Sequence, residues 1–203
     1  DFFIAGRLVA AGTAGQHVVI RGESNTAKLG SSGSVDATWT DFDVQLGMNI
    51  GSFVNTGVNP GGCTYADCTF GPFAWFHSYT SFVRMERCAF NTLYGPIFSC
   101  NARLIDVTSN RTIRTIGVGS VFENVTVTGA PGQSELDGGG FYVTGGLQPA
   151  YLNGLNAIEN AQAGIYSAGG NSLLGPDNRL EGNAVALELG GGLLPGSVVP
   201  TSA

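Results

Sequence analysis

Hydrophobic and polar positions along this chain recur in a short phrase: a large apolar residue, any residue, then Asp, Asn, Gly or Arg. It reads Ile20-Arg21-Gly22, Trp39-Thr40-Asp41, Tyr65-Ala66-Asp67, Met85-Glu86-Arg87, Leu104-Ile105-Asp106, Phe122-Glu123-Asn124, Ile158-Glu159-Asn160 and Leu180-Glu181-Gly182. From Asp41 onwards the third positions are 26, 20, 19, 18, 36 and 22 residues apart. A return near every twenty residues marks a stacked repeat, each unit burying its apolar side only against its neighbours.

Within each repeat the pattern predicts a strand ending on the apolar position, one residue facing outward, a bend, and a second strand. The second strands are Cys68-Thr69-Phe70, Cys88-Ala89-Phe90, Val107-Thr108 and Val125-Thr126-Val127, the last with the alternation of period two that strands require. Asp, Asn and Gly suit the bend because a sharp corner often needs positive φ, which they tolerate best. Arg87 is the exception. A third strand is expected at Phe73-Ala74-Trp75, Ile97-Phe98, Phe141-Tyr142-Val143, Ile165-Tyr166 and Val185-Ala186-Leu187, and the loop from Gly129 to Gly140 is expected to absorb most of the 36-residue step.

Two or three short strands per repeat, with loops taking up the length variation, describe a parallel β-solenoid. The segment Phe122-Glu123-Asn124-Val125-Thr126-Val127 resembles the tight turn of right-handed parallel β-helices of the pectate-lyase and phage-tailspike kind. That resemblance implies an all-β fold, a right-handed single-stranded parallel β-helix of about eight coils. It would cover residues 17–189, after a lead-in segment at 1–16 and before an apolar tail at 190–203. A β-sandwich is the competing fold, and the scarcity of Asn-Gly and Asp-Gly hairpin turns stands against it.

Composition narrows the picture. A chain of 203 residues suits one domain, its 32 glycines are about twice the usual share, and its 12% of charged residues about half. Interior glycine disfavours helices, while an apolar content of 43% opposes disorder. Nine basic against fifteen acidic residues give a net charge of −6, a field that repels nucleic acid and anionic membrane. The apolar tail is too short and too broken by Gly and Pro for membrane insertion. Lysine occurs only at Lys28, which fits either an exterior packed against other subunits or a surface of uncharged polar residues. The chain opens on Asp1 without a basic leader, as a processed chain or a fragment would.

The four cysteines, at 63, 68, 88 and 100, form no CxxC pair, and two histidines complete the inventory, so neither a metal site nor a cofactor is called for. Cys68 and Cys88 each follow a third position and should stack about 4.8 Å apart. Parallel side chains form a disulfide poorly, so buried thiols are expected.

Candidate chemistry must come from geometry, because no local motif matches the catalytic set of a lyase or a glycan-cutting tailspike. The outward position of the phrase holds Ala66, Glu86, Ile105, Glu123 and Glu159. Glu86 and Glu123 lie two repeats apart, about 9.6 Å by strand spacing. That is near the upper limit for an inverting carboxylate pair. They are the catalytic candidates; solvated acids at a strand edge are the plainer reading. The aromatic run from Phe73 to Tyr79 supplies the ligand-binding candidates Trp75, Phe76, His77 and Tyr79. One of Trp75 and Phe76 faces outward if the strand continues, and both turn inward if it bends. Phe70, Phe73, Phe82, Phe90 and Phe98 are expected to form an inward aromatic stack.

Three functional classes fit the resemblance. The first is a structural or receptor-binding virion component: a tailspike, tail fibre or decoration protein, located in the virion or outside the cell. It would form a homotrimer or pack on other virion proteins, and bind host surface polysaccharide. The second is an extracellular polysaccharide lyase or glycoside hydrolase, and the third a bacterial adhesin passenger. Enzymes of this fold carry more coils and longer acid-rich loops than this chain offers, which favours the first.

Overall fold

The computed structural model describes residues 2–4, 6–22, 28–31, 34–48, 62–72, 74, 76–78, 82–116, 120–132, 137–144, 150–168, 172–190 and 196–197, with backbone alone at 2–4, 28–31, 45–48 and 150. Among these residues there is no helix, and the strands form three sheets of nine, eight and eight members. Every strand pairs in parallel, and the chain visits the three sheets in strict rotation. Strand Phe82–Glu86 lies in the second sheet, Ala89–Phe90 in the third and Ile97–Phe98 in the first, and Asn101–Ile105 returns to the second. Stacking of this kind fits a parallel β-helix.

Register follows the repeat. Val83 lies opposite Ala102, Met85 opposite Leu104 and Glu86 opposite Ile105. Apolar residues at alternate positions point between the three sheets, so Val83, Met85, Ala102 and Leu104 are fully buried while Arg84 and Arg103 face out. Four of the expected corners are confirmed by backbone angles: Asp67, Arg87, Asp106 and Asn124 all have φ between 51° and 55°. They sit between the second and third sheets. Asp67 N–H donates to the Glu86 carbonyl (2.9 Å), Arg87 N–H to that of Ile105 (2.9 Å) and Asp106 N–H to that of Glu123 (3.0 Å), so each bend is bonded to the next. Arg87 is held at its corner by Asp67, to which its guanidinium donates twice, at 2.7 and 2.8 Å.

Four other instances of the phrase fall elsewhere, and Ile20-Arg21-Gly22 closes strand Val18–Arg21 of the third sheet. In Trp39-Thr40-Asp41 the left-handed residue is Trp39 (φ 47°), and Asp41 lies inside strand Thr40–Asp43. Glu159 (φ 54°) and Gly182 (φ 63°) belong to a different bend, after the third sheet. The residue that continues the Asp67–Asn124 series is Gly154 (φ 64°), a step of 30 residues rather than 36. Stacking also begins before residue 17: Phe2–Ile4 pairs with Leu29–Ser31, and Leu8–Ala11 with Val35–Thr38, where a lead-in was expected.

The interior holds a continuous aromatic column. Phe70 stacks on Phe42 (ring centroids 5.3 Å) and on Phe90 (4.4 Å), with Tyr65 and Phe76 set edge-on at 5.7 and 5.4 Å. Phe98, Phe122 and Phe141 are buried further along. Phe82, expected in this column, is 36% exposed, because Val83 and Met85 take the inward positions of its strand. Phe73 lies outside the described residues.

None of the four cysteines forms a disulfide, and all four are buried. Cys68 and Cys88 follow successive corners on neighbouring strands, as expected, and each Sγ donates to a carbonyl two residues back and to one a circuit earlier. Burial pushes the Cys63 thiol up to about 11, and the interaction with Cys68, followed by burial, drives Cys88 upward as well. We expect Ellman's reagent to titrate none of the four in the folded protein and all four after guanidinium unfolding; a native thiol that reacts at once would contradict this packing.

Candidate functional site

Two outer faces carry the side chains capable of chemistry. On the second sheet, Ala66, Glu86, Ile105 and Glu123 form one column in register, as the phrase predicts, and Ile105 separates the two acids. Glu159 is absent from this column, since it occupies the other bend. Both acids are tied to arginines. Glu86 pairs with Arg84 and lies 3.5 Å from Arg87, and Arg103 donates to Glu123 at 3.1 Å. Each carboxylate thus completes a surface ion pair with its own neighbours, and the two do not converge on a shared cleft.

The outer face of the first sheet differs. Successive strands place His77, Ile97, Arg114, Tyr142, Tyr166 and Glu188 in one column. The tyrosine rings stack at 5.2 Å and 20°. Ile97 points outward yet is only 7% exposed, so its flanking neighbours cover it. His77 is half-buried, with Ser99 Oγ 3.5 Å from its Nε2. Burial, reinforced by the Arg114 charge, lowers its pKa below the ordinary value of 6.5, so the ring is neutral at neutral pH.

Of the other ligand-binding candidates, Phe76 is fully buried against Tyr65, Phe70, Phe90 and Phe98, and presents no ring to a ligand. The described strand of this stretch is His77–Ser78, and Phe76 just before it turns inside; the strand expected at 73–75 lies largely outside the described residues. Trp75 and Tyr79 lie outside the described residues.

Beside the Arg114 column opens a cavity of about 230 Å³, lined by Leu93, Tyr94, Arg111, Arg114, Pro131 and Asp137, with Gly95 and Gly132 in its walls. Tyr94 is 62% exposed and Leu93 54%. Burial pushes the Arg114 guanidinium below its ordinary value, against the pull of Asp137 and Tyr142. Its Nε is buried and has no hydrogen-bond partner.

Sequence reasoning singled out neither Arg111 nor Arg114 as a site residue. The signal available was the pair Gly140-Phe141-Tyr142 and Gly164-Ile165-Tyr166, which sets two outward tyrosines in register above Arg114. Glycine is required there, since a Cβ at Gly140 would come within 2.4 Å of the Gly164 carbonyl oxygen.

Among the described residues no group of three or more His, Cys, Asp and Glu side chains could hold a metal ion. No protein-family model, curated protein or solved structure matches this chain.

Proposed function

We propose that the chain is a right-handed single-stranded parallel β-helix of about eight coils, serving as a structural and receptor-binding component of a phage virion. In this reading it is a tailspike, tail fibre or decoration protein that holds host surface glycan on an outer face and assembles as a homotrimer or on neighbouring virion proteins. The observation that carries the binding role is the outer face of the first sheet. There two stacked tyrosines adjoin Arg114 and an open cavity flanked by exposed Tyr94 and Leu93. Aromatic faces beside hydrogen-bond donors are the surface that a sugar ring, apolar on its faces and polar at its rim, can occupy.

The ion pairs of Glu86 and Glu123 favour binding over hydrolysis, because a glycosidase pair must face one substrate bond from two sides. The resemblance of the corner phrase to tailspike coils supports the virion setting.

The test is to incubate the purified chain with bacterial surface polysaccharide while measuring its mass in solution. The reading expects retention on the glycan, no release of reducing ends or unsaturated sugars, and a trimer mass or capture by virion proteins. A monomer that cleaves polysaccharide, and loses that activity in Glu86→Gln or Glu123→Gln, would overturn it in favour of an enzyme.

A further inference from the structure

The distribution of arginine partners sets the cavity apart. Arg7, Arg21, Arg84, Arg87, Arg103 and Arg179 each pair with an Asp or Glu. Among the described residues only Arg111 and Arg114 form no ion pair, and both line the same cavity. Arg111 donates its Nε to the Leu93 carbonyl (3.1 Å) and an Nη to the Asn110 carbonyl (3.1 Å), contacts that fix the guanidinium without neutralising it. Arg114 is half-buried, and its Nε is both shielded from water and unpartnered. A buried donor without an acceptor is costly and rare in native proteins, so Arg114 Nε calls for an explanation such as a bound group.

Among the described lining residues Asp137 is the one acid, against two cations. The cavity therefore carries a surplus positive charge within a chain of net charge −6. Its walls are closely built. A Cβ at Gly95 would come within 1.9 Å of the Thr112 carbonyl oxygen, and one at Gly132 within 2.2 Å of Asp137 Oδ1. Thr92 Oγ1 donates to the Tyr94 carbonyl (2.7 Å), holding the rim. The volume is below the roughly 300–1,000 Å³ of pockets for drug-sized ligands, so it suits one small ring or a compact charged group.

We propose that this cavity binds the oxyanion of a charged sugar, a carboxylate or phosphate carried on a pyranose ring, with Arg111 and Arg114 on the oxyanion and Tyr94 and Leu93 against the ring. A guanidinium presents parallel N–H donors that match two oxygens of either group, and the charge-assisted bonds are the strong ones. The exposed ring of Tyr94 supplies the apolar face that a bare anion would not need. Asp137 limits the site to one oxyanion by repelling a second negative group. The inference rests on the glycan-binding reading above and narrows it to a class of sugar.

Four probes decide it in calorimetric or NMR titrations of the full chain: glucose, glucuronate, glucose 6-phosphate and inorganic phosphate. We expect glucuronate or glucose 6-phosphate to bind at least about tenfold more tightly than glucose and than inorganic phosphate, the better of the two identifying the oxyanion. Arg114→Gln and, separately, Arg111→Gln should each weaken that binding about tenfold or more, one well-made charge-assisted bond being worth at least 1.4 kcal/mol. Two variants are named so that a folding defect in one leaves the other decisive. Glucose binding as tightly as glucuronate, inorganic phosphate binding as tightly as the sugar phosphate, no saturation by any probe, or indifference to both substitutions would each overturn the proposal. Retention on whole polysaccharide that survives Arg114→Gln and Arg111→Gln would leave glycan binding standing and remove only this site. Failure of the wild-type chain to bind any polysaccharide would count against the broader reading.

Discussion

Phe70→Ala should destabilise the protein by about 3–5 kcal/mol, the range for removing a fully buried aromatic side chain. Phe70 has no solvent exposure and sits at the centre of the interior column, touching the rings of Phe42, Tyr65, Phe76 and Phe90. Its loss removes apolar burial, ring–ring contacts worth about 0.5–1.5 kcal/mol each, and the bridge between successive circuits. The close backbone stacking leaves little room for collapse into the void. Phe82→Ala is the control: the ring lies on the outside of its strand over Gly62, and the cost should be about 1 kcal/mol or less. Guanidinium unfolding curves compare the two, and equal midpoints would refute the inward and outward assignments.

Asn160→Leu should cost about 2–5 kcal/mol although a side chain with the same number and branching of non-hydrogen atoms takes its place. Asn160 is only 2% exposed. Its Oδ1 accepts from the Ala130 N–H (3.0 Å), and its Nδ2 donates to the Val127 carbonyl (3.3 Å) and to Asn183 Oδ1 (2.8 Å). Leucine leaves the N–H of buried Ala130 without its acceptor, at about 1–3 kcal/mol, and removes the further bonds to the Val127 carbonyl and Asn183, at about 0.5–1.5 kcal/mol each. Asn183→Ala, at a half-buried position that water reaches, should cost less. Thermal melts of the two variants test the order, and an Asn160→Leu protein as stable as wild type would mean that the side chain does not bridge these circuits.

Asn160 also shows where reading the sequence succeeds and where it fails. The phrase located Asp67, Arg87, Asp106 and Asn124 because each of those corners combines a buried apolar residue two positions earlier with a left-handed backbone. Gly, Asn and Asp serve the bends at both ends of the third sheet, so residue type alone could not separate them. The phrase therefore puts Ile20-Arg21-Gly22, Ile158-Glu159-Asn160 and Leu180-Glu181-Gly182 at the bend before the third sheet when they follow it, and makes the repeat after Asn124 too long. Glu159, not Asn160, has the positive φ, and the Asn160 side chain turns inward to bond backbone.

Side-chain direction was legible where strands alternate cleanly, as in the Glu86, Ile105 and Glu123 column. It was lost in the aromatic run before His77, where the alternation expected from Phe73 onwards gave no fixed parity for Phe76. The arginine cavity was the least legible part. Arg111, Pro131 and Asp137 come from segments of different length that the solenoid brings together, and no local motif records that meeting. What marks the site is that, among the described residues, these two arginines alone form no ion pair, which only the three-dimensional arrangement reveals.

The central claim is that residues far apart along the chain stack in parallel at one strand spacing per circuit. Thr64, Arg84, Arg103, Val121 and Tyr151 occupy successive rungs of one outward column. Dipolar EPR between a spin label at position 64 and a second at 103, 121 or 151 measures this directly. The account predicts backbone separations rising in equal steps, about 10, 14 and 19 Å. Separations that do not increase in that order, or a 64–151 distance far beyond this range, would contradict it.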